Sequence, residues 1–348
     1  MKAVYFENHG PLDALIYGEI DDPAVPDGWV KVKVGACALN YLDVFSRRGM
    51  PGIKVDLPGI TGGDCAGTIA ALGAGVEGWE IGARVLINPA HVDDTSGHFE
   101  MMGETRRGAM AEYCICRAEQ LIAIPDTVGD DAAAALPVAY GTAYRMLFTR
   151  GKLQPGERVL ILGASGGVGT ACVLLARMAG AHVIAAAGSA GKCRRLEALG
   201  AHETIDYSVD RIDAYTRART GSLFRGGGYE VVVNFTGGDS WVPSLRSVKR
   251  GGRLLTCGAT AGYAPPTDIR FIFMAEMSIL GSTGFTRDDI AACLDLVAEG
   301  RLDPVIDRVL PLSEGREAVR LLEDREVFGK VIVRPDLDDA DATGAGAA

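Results

Sequence analysis

Residues 158–174, RVLILGASGGVGTACVL, decide the fold that we predict for this chain. The apolar run 159–162 is typical of a short strand buried on both faces, and a helical pattern begins near Gly169. The turn between them is rich in glycine, which lets another group approach the backbone closely. Unpaired N–H groups and the positive end of the helix dipole attract an anion to such a turn. We therefore predict a strand, turn and helix that bind the pyrophosphate of a dinucleotide.

The predicted pyrophosphate site consists of the residues of this turn, which are Ser165, Gly166, Gly167, Val168 and Gly169. The common G-x-G-x-x-G pattern has its first glycine where this chain has alanine, so the pattern here is A-x-G-x-x-G. The alternative is a turn that only packs the helix against the strand. Binding is favoured because the glycines lie directly between an apolar strand and a helix start.

Apolar runs and helical stretches alternate through the rest of this region. The later runs predict four more strands, at residues 183–187, 204–206, 230–234 and 253–257. Strands that alternate with helices form a doubly wound, parallel sheet. Ligands of such sheets lie beyond the carboxyl ends of the strands, and Gly258 and Ala259 follow the last of these runs. We expect these two residues to lie close to the nicotinamide ribose.

The residues after the second strand indicate which nicotinamide cofactor binds. An aspartate or glutamate at that strand end would hold the ribose 2′-hydroxyl, and this chain has Ala187 there. Ser189 and Lys192 follow, in AGSAGKCRR, and offer a hydroxyl and a cation to a 2′-phosphate. NADPH therefore fits this sequence better than NADH. The alternative is that these cations form the solvated face of a helix start.

The first third of the chain has a different pattern, with short alternating runs such as WVKVKV at residues 29–34 between Gly and Pro. This predicts an irregular β domain. The length of 348 residues suits two domains. A formal net charge of −10 disfavours a nucleic-acid partner. No apolar run approaches the ~20 residues of a membrane-spanning helix, so we expect no membrane partner.

Eight cysteines are scattered along the chain without a CxxC pair, which predicts neither a disulfide framework nor a zinc ribbon. The first ten residues, MKAVYFENHG, lack the unbroken apolar core of a signal peptide. We therefore expect a cytoplasmic protein with reduced thiols.

Several motifs resemble the medium-chain dehydrogenase/reductase superfamily in the same order, over residues 1–334. They are ALNYLDVFSRRG at 38–49, GITGGDCAG at 59–67, GAMAEY at 108–113, GTAYRML at 141–147, the glycine turn, GGRLLTCGATAGY at 251–263 and FGKVIV at 328–333. The resemblance implies an α/β fold: a GroES-like β domain at residues 1–137 and 285–335 and a doubly wound Rossmann domain at 138–284, with NADPH between them. Residues 336–348, with four aspartates among small residues, predict a disordered acidic tail.

Zinc alcohol dehydrogenases of this superfamily hold a catalytic metal through cysteine, a histidine in GHE, and a second cysteine or aspartate. The resemblance places these positions near Asn40, at Gly63, and near Pro137 or Val138, so we expect no zinc. The segment in place of the structural zinc lobe, residues 88–107, contains no cysteine. One alternative is a metal held by nitrogen and oxygen ligands of that segment; a polar surface loop is the other. The candidate ligands are His91, Asp93, Asp94, His98 and Glu100.

Loss of the metal favours conjugate reduction. Interconversion of a simple alcohol and ketone requires stabilisation of an alkoxide, whereas hydride transfer to a quinone or an enone leaves a delocalised anion that hydrogen-bond donors can stabilise. Metal-free quinone oxidoreductases and enoyl reductases share an LNxxD signature, here Leu39, Asn40 and Asp43. Residues 260–285 are also similar to crotonyl-CoA carboxylase/reductases. The resemblance thus implies an NADPH-dependent, zinc-independent reductase of quinones or α,β-unsaturated carbonyl compounds.

The resemblance also suggests roles for residues near the nicotinamide. Asn40 and Thr142 would flank the ring, and the Asn40 amide would donate to the substrate oxygen. Tyr41 and Tyr140 are candidate proton donors by motif position. Each tyrosine has the alternative of being a packed residue, and solvent is an adequate proton source.

Other functions stay open at this point. One is an alcohol or carbonyl dehydrogenase of the same superfamily, and another is a non-catalytic NADPH-binding protein. The apolar residues 277–280 resemble the edge strand through which relatives pair, so we expect a homodimer that acts on a small-molecule substrate.

Overall fold

The computed structural model describes residues 1–92, 97 and 99–338. The chain divides into two compact units, Met1–Val138 with Thr286–Ala348, and Ala139–Phe285. Three candidate ligands of the alternative metal site, Asp93, Asp94 and His98, and residues 339–348 of the predicted tail lie outside the described residues. Each unit has a hydrophobic core of its own.

The first part of unit one contains mainly short strands. The strands are β1 (Lys2–Phe6), β2 (Ile16–Glu19), β3 (Trp29–Ala38), β4 (Gly59–Ile60), β5 (Asp64–Leu72), β6 (Arg84–Ile87), β7 (Ala90–Val92), β8 (Phe99–Met101), β9 (Tyr113–Arg117) and β10 (Leu121–Ala123). Helix α1 (Tyr41–Arg48) lies between β3 and β4, and helix α2 (Asp130–Ala134) follows β10.

Strands and helices then alternate through unit two. The π-helical segments Leu136–Gly141 and Arg145–Arg150 flank α3 (Thr142–Tyr144), and the following elements are β11 (Arg158–Ile161), α4 (Gly167–Met178), β12 (His182–Ala187), α5 (Ala190–Ala198), β13 (Glu203–Asp206), α6 (Ile212–Thr220), β14 (Tyr229–Val233), α7 (Trp241–Ser247), β15 (Val248–Thr256), α8 (Ile269–Met274) and β16 (Ser278–Gly281). Unit one resumes with α9 (Arg287–Ala298), β17 (Ile306–Pro311), α10 (Gly315–Glu323) and β18 (Lys330–Arg334).

β3 is the central strand of unit one. One edge of β3 pairs with β5, and the other edge pairs with β9 near its start and with β18 at its end, all antiparallel. Val30, Val32 and Val34 alternate along β3 and are buried, as the alternating pattern predicts. β6 and β10 extend this sheet beyond β5, and β17 extends it beyond β18.

Unit two contains a parallel sheet of six strands in the order β13-β12-β11-β14-β15-β16. The strands near the middle, such as β12 and β14, are almost entirely buried, which explains their continuous apolar runs. The doubly wound fold predicted from the sequence is confirmed. β16 lies at one edge of the sheet and β13 at the other.

Helix α1 is held to α10 by an ion pair between a buried arginine and a partly buried glutamate. Arg47 of α1 has no exposed surface, and its Nη2 donates to the two carboxylate oxygens of Glu323 at 2.9 and 2.8 Å. Arg48 pairs with the same carboxylate from the surface. Because a buried charge is stable only with a partner, this pair fixes α1 on the unit.

The start of the predicted acidic tail is part of the described structure. Asp336 accepts from Arg334 at 2.7 Å, and Asp338 accepts from the Ser313 backbone N–H at 3.1 Å. Among the residues described, no helix is both long and apolar enough to cross a bilayer.

Glu230 joins three strands of unit two, because its carboxylate on β14 accepts from Arg158 on β11 and from Lys249 on β15, at 3.0 and 2.9 Å. Burial alone would raise the pKa of Glu230, but these hydrogen bonds outweigh it and lower the pKa to about 2 from 4.5. The unfolded chain therefore binds a proton that the folded chain does not bind between these two values.

We predict that the stability contributed by Glu230 is complete above pH 4.5 and is lost as the pH falls towards 2. The difference in free energy of unfolding between the wild type and Glu230→Gln should shrink over this interval, as measured by urea unfolding at several pH values. The control is Glu276→Gln, whose side chain is 65% exposed. A difference in free energy of unfolding that stays constant with pH would contradict the lowered pKa of Glu230.

Candidate functional site

The predicted pyrophosphate site lies between β11 and α4. Gly166 is the extended residue before α4, and the turn brings residues 165–169 to the start of this helix. A Cβ atom at Gly169 would lie 2.3 Å from the Gly163 carbonyl oxygen, so this position requires glycine for the helix to pack on the strand. A Cβ atom at Gly166 would meet only that same oxygen, at 3.7 Å. The space beside Gly166 at the N-terminus of α4 is therefore open, while the Gly166 N–H itself donates to the Gly163 carbonyl at 3.2 Å.

The loops that follow β14 and β15 are bonded to each other at the same edge of the sheet. The Ala261 N–H donates to the Thr236 carbonyl at 2.7 Å, and Gly238 N–H donates to Gly262 at 2.9 Å. Gly258 and Ala259 lie in the second of these loops, directly after β15. The structure thus places them beyond the carboxyl ends of parallel strands, where such sheets bind ligands.

Asn234 organises these loops, and the sequence analysis missed it. It is fully buried directly after β14, where its Nδ2 donates to Ser244 and Ser240 at 2.8 and 3.0 Å. Its Oδ1 accepts from the backbone N–H groups of Thr236 and Gly237 at 2.9 and 3.0 Å. A single amide therefore holds the loop after β14. The signal in the sequence was a polar residue at the end of the apolar run EVVVN.

The predicted 2′-phosphate site follows β12. Ala187 is buried at the strand end, and Ser189 precedes α5, where its Oγ accepts from the Lys192 backbone N–H at 3.3 Å. The Ser189 hydroxyl proton is still available for donation. Tyr207, which the sequence analysis did not include, lies beside them: its N–H donates to the Ala187 carbonyl at 3.0 Å, and its ring is 45% exposed.

Asn40, Asp64 and Lys330 meet in unit one because of the register of its central sheet. Ala38 on β3 pairs with Asp64 on β5 and with Ile332 on β18, so Asn40 lies opposite Lys330. Lys330 Nζ donates to Asn40 Oδ1 at 2.6 Å and to Asp64 Oδ2 at 3.0 Å. Asn40 Nδ2 donates to the same Asp64 oxygen at 2.8 Å. We call these three residues the Asn40 cluster.

Asp43 fixes the backbone beside this cluster. It is buried on α1, and its two oxygens accept from the backbone N–H groups of Asn40 and Gly62, both at 2.7 Å. Burial raises the pKa of Asp43 to about 6, although these two hydrogen bonds act to lower it. The LNxxD signature therefore has a structural explanation, in which Asp43 joins the start of α1 to the loop before β5.

The other predicted catalytic residues lie in different environments. Tyr41 is half-buried at the first position of α1, with its ring edge-on to Phe45 at 5.1 Å. Tyr140 has no exposed surface in the helical segment before α3, and Thr142 is 6% exposed at the start of α3. The Tyr140 ring is buried, as expected for the alternative of a packed residue, and its role as a proton donor stays a prediction.

The two described members of the alternative metal loop have partners of their own. His91 pairs with Glu119 at 3.0 Å, and Glu100 pairs with Arg106 at 2.9 Å and with Arg117 at 3.4 Å. The arginines lower the pKa of Glu100 against the opposing effect of burial.

The positions that hold catalytic zinc in zinc alcohol dehydrogenases do not fit a zinc ion in this chain. Asn40 and Asp64 already bind the ammonium of Lys330, and Val138 offers only a backbone N–H, which donates to Asp64 Oδ1 at 2.9 Å. A Cβ atom at Gly63, the position of the histidine, would lie 2.9 Å from the Met102 carbonyl oxygen. A second cation beside Lys330 would be repelled.

Comparison with known proteins identifies both parts of the chain. Residues 26–126 match the model of the alcohol dehydrogenase GroES-like domain, and residues 167–299 match that of the zinc-binding dehydrogenase family. The quinone oxidoreductase-like protein 2 of Bos taurus is 30% identical over 330 residues, which cover 92% of this chain and 88% of that protein.

Solved structures agree with this result. An NAD-dependent alcohol dehydrogenase is 35% identical, with a TM-score of 0.88 over 96% of this chain and 99% of that chain. The 2-octenoyl-CoA carboxylase reductase CinF, in complex with NADP and 2-octenoyl-CoA, is 28% identical, with a TM-score of 0.85 over 96% of this chain and 87% of that chain.

A GroES-like domain joined to a Rossmann-like dinucleotide-binding domain defines a nicotinamide-dependent oxidoreductase. The chain belongs to the medium-chain dehydrogenase/reductase superfamily.

We predict that Gly166→Val weakens dinucleotide binding at least about tenfold, because the new side chain enters the space above the α4 N-terminus where the pyrophosphate would lie. Since that space is open, the melting temperature should stay close to that of the wild type. Calorimetric titration with NADPH and NADH measures the effect. Gly129→Ala, which also introduces a side chain into open space, is the control. Unchanged affinity in Gly166→Val would refute this site.

Proposed function

We propose that this chain is an NADPH-dependent, zinc-independent reductase that transfers hydride to a quinone or an α,β-unsaturated carbonyl compound. The observation that carries the proposal is the Asn40 cluster, in which Asn40, near the position of one zinc ligand of the relatives, contacts the Asp64 carboxylate and the Lys330 ammonium. Such a cluster offers hydrogen-bond donors to an oxygen atom, and it offers no vacant coordination position.

Conjugate acceptors suit a site of this kind. Bound nicotinamide would supply a hydride, which carries two electrons, to the β-carbon of an enone, and the π electrons would move to the carbonyl oxygen. The resulting enolate spreads its charge over oxygen and carbon, so N–H donors can stabilise it. We propose the Asn40 side-chain amide as the donor to that oxygen. Tyr41 or solvent then supplies the proton to the α-carbon.

The preference for NADPH rests on unit two. Ala187 has no carboxylate to hold a ribose 2′-hydroxyl, while Ser189, Lys192 and Tyr207 follow β12 and β13. A hydroxyl, a cation and a phenol suit a 2′-phosphate. The bound NADP of CinF supports this preference. Because a similar structure is that of an NAD-dependent alcohol dehydrogenase, NADH is the cofactor to compare with NADPH.

The test is oxidation of NADPH and NADH by the purified protein, with and without a chelator, against a quinone, an enone, an enoyl-CoA and a simple aldehyde. We expect NADPH to be consumed with a conjugated acceptor, whether or not the chelator is present. Turnover of the aldehyde alone, abolished by the chelator, would support an alcohol or carbonyl dehydrogenase instead. Tight NADPH binding without turnover of any acceptor would support a non-catalytic role.

We also propose a homodimer formed through the edge strand β16. β16 is an edge strand of its sheet, whose Gly281 carbonyl accepts from Arg150 at 2.9 Å, and α8, directly before it in the chain, exposes the apolar side chains of Ile269 and Phe273 at 66% and 64%. Sedimentation should give twice the chain mass of 36.6 kDa for the wild type and the single mass for Leu280→Lys, which adds a charge to this edge. A monomeric wild type would refute the dimer.

For its compartment we propose the cytoplasm. The eight cysteines are free thiols, and seven of them are buried. Burial raises the pKa of Cys257 to about 12, so it stays a thiol at neutral pH. Free thiols are typical of a reducing compartment.

A further inference from the structure

The Asn40 cluster contains a charge that the fold of unit one does not need. Lys330 is 1% exposed, Asp64 has no exposed surface, and Lys330 follows Val327 and Phe328 and precedes Val331 in an otherwise apolar segment. A buried ion pair is often no more stable than apolar residues of the same volume, because both charges leave water. Uncharged residues of similar volume at positions 330 and 64 would avoid this desolvation. The cost of burying the pair therefore indicates a function.

The cluster holds the Asn40 amide in one orientation. An ammonium only donates hydrogen bonds and a carboxylate only accepts them, so Oδ1 must face Lys330 and Nδ2 must face Asp64. Asp64 cannot rotate away, because its other oxygen accepts from the Val138 N–H at 2.9 Å. The amide nitrogen carries a second N–H, for which the described residues supply no acceptor.

We propose that Lys330 is a positioning residue, which orients and polarises the Asn40 amide so that this second N–H donates to the oxygen of the substrate. The proposal rests on the proposed function, in which that oxygen becomes an enolate or a hydroquinone anion. The ammonium withdraws electron density from the amide through Oδ1, and this makes the remaining N–H a stronger donor. Lys330 thus acts through Asn40 and does not touch the substrate.

A double-mutant cycle of Asn40→Ala, Lys330→Met and the double variant tests this coupling. With a saturating enone and NADPH, each single variant should lose about 10- to 100-fold in kcat, as is common when a supporting partner is removed. The double variant should be no slower than Asn40→Ala, because Lys330 has no effect without the amide. The dissociation constant for NADPH should stay within about twofold of the wild type in Lys330→Met, because Lys330 acts only through Asn40. Independent, multiplicative losses in kcat would overturn the proposal.

Two further variants separate this role from a loss of stability. Lys330→Met leaves Asp64 as an unpaired buried charge, so Asp64→Asn with Lys330→Met supplies a neutral version that should fold better and still show the low kcat. Arg47→Met, the control, removes another buried cation of unit one, the partner of Glu323. It should lower the melting temperature and leave kcat within about twofold of the wild type. Restored kcat in the neutral version would show that Lys330 only stabilises the fold.

Nitrogen-15 NMR of the Asn40 side chain measures the positioning without turnover. Its two amide protons are assigned by comparison with Asn40→Asp. In the wild type they should have different chemical shifts and exchange slowly with solvent, and in Lys330→Met they should exchange rapidly. If the wild type reduces no acceptor but its amide is held, the proposed function fails and the positioning stands. If the wild type reduces an enone and the Asn40 amide is unaffected by Lys330→Met, the positioning fails and the proposed function stands.

Discussion

The buried contact between Lys330 and Asp64 is the interaction on which the orientation of the Asn40 amide depends. It joins the first residue of β18 to the first residue of β5, and β3 lies between these two strands. A slip of one residue in either strand would turn one of the charges to the opposite face and leave the other unpaired. The contact therefore requires the observed register of three strands, and the same register places Asn40 opposite Lys330.

In unit two, backbone geometry rather than an ion pair positions the loops that carry the predicted binding residues. Its parallel strands end at one edge, where the loops after β11, β14 and β15 lie close together. Buried Asn234 holds the loop after β14, and Gly169 lets α4 approach the turn after β11. Polar contacts hold the loops while the N-terminus of α4 stays open. The two units thus position their predicted binding residues by different means, unit two through backbone geometry and a buried amide, and unit one through a buried ion pair.

The sequence alone predicted the parts that depend on local pattern. The strand, turn and helix around Gly166 and Gly169 depend on residues that are neighbours in the chain, as do the buried strands of unit two. Lys330 could not be assigned from its own segment, because its role needs the pairing of β18 with β3 and of β3 with β5. Tyr207 lies beside Ala187 only because β13 pairs with β12. The burial of Tyr140 could not be predicted from the sequence either, since it depends on tertiary packing around an irregular helical segment.

The ammonium of Lys330 is a positive charge that belongs to the polypeptide chain itself. It is present at full occupancy as soon as the chain folds, it cannot be exchanged for a competing ion, and its supply does not depend on the metal content of the cell. A lysine can offer protons to an oxygen atom but cannot accept its lone pair into an empty orbital. A chain that carries its positive charge in this form has that charge in place without a supply of metal ions.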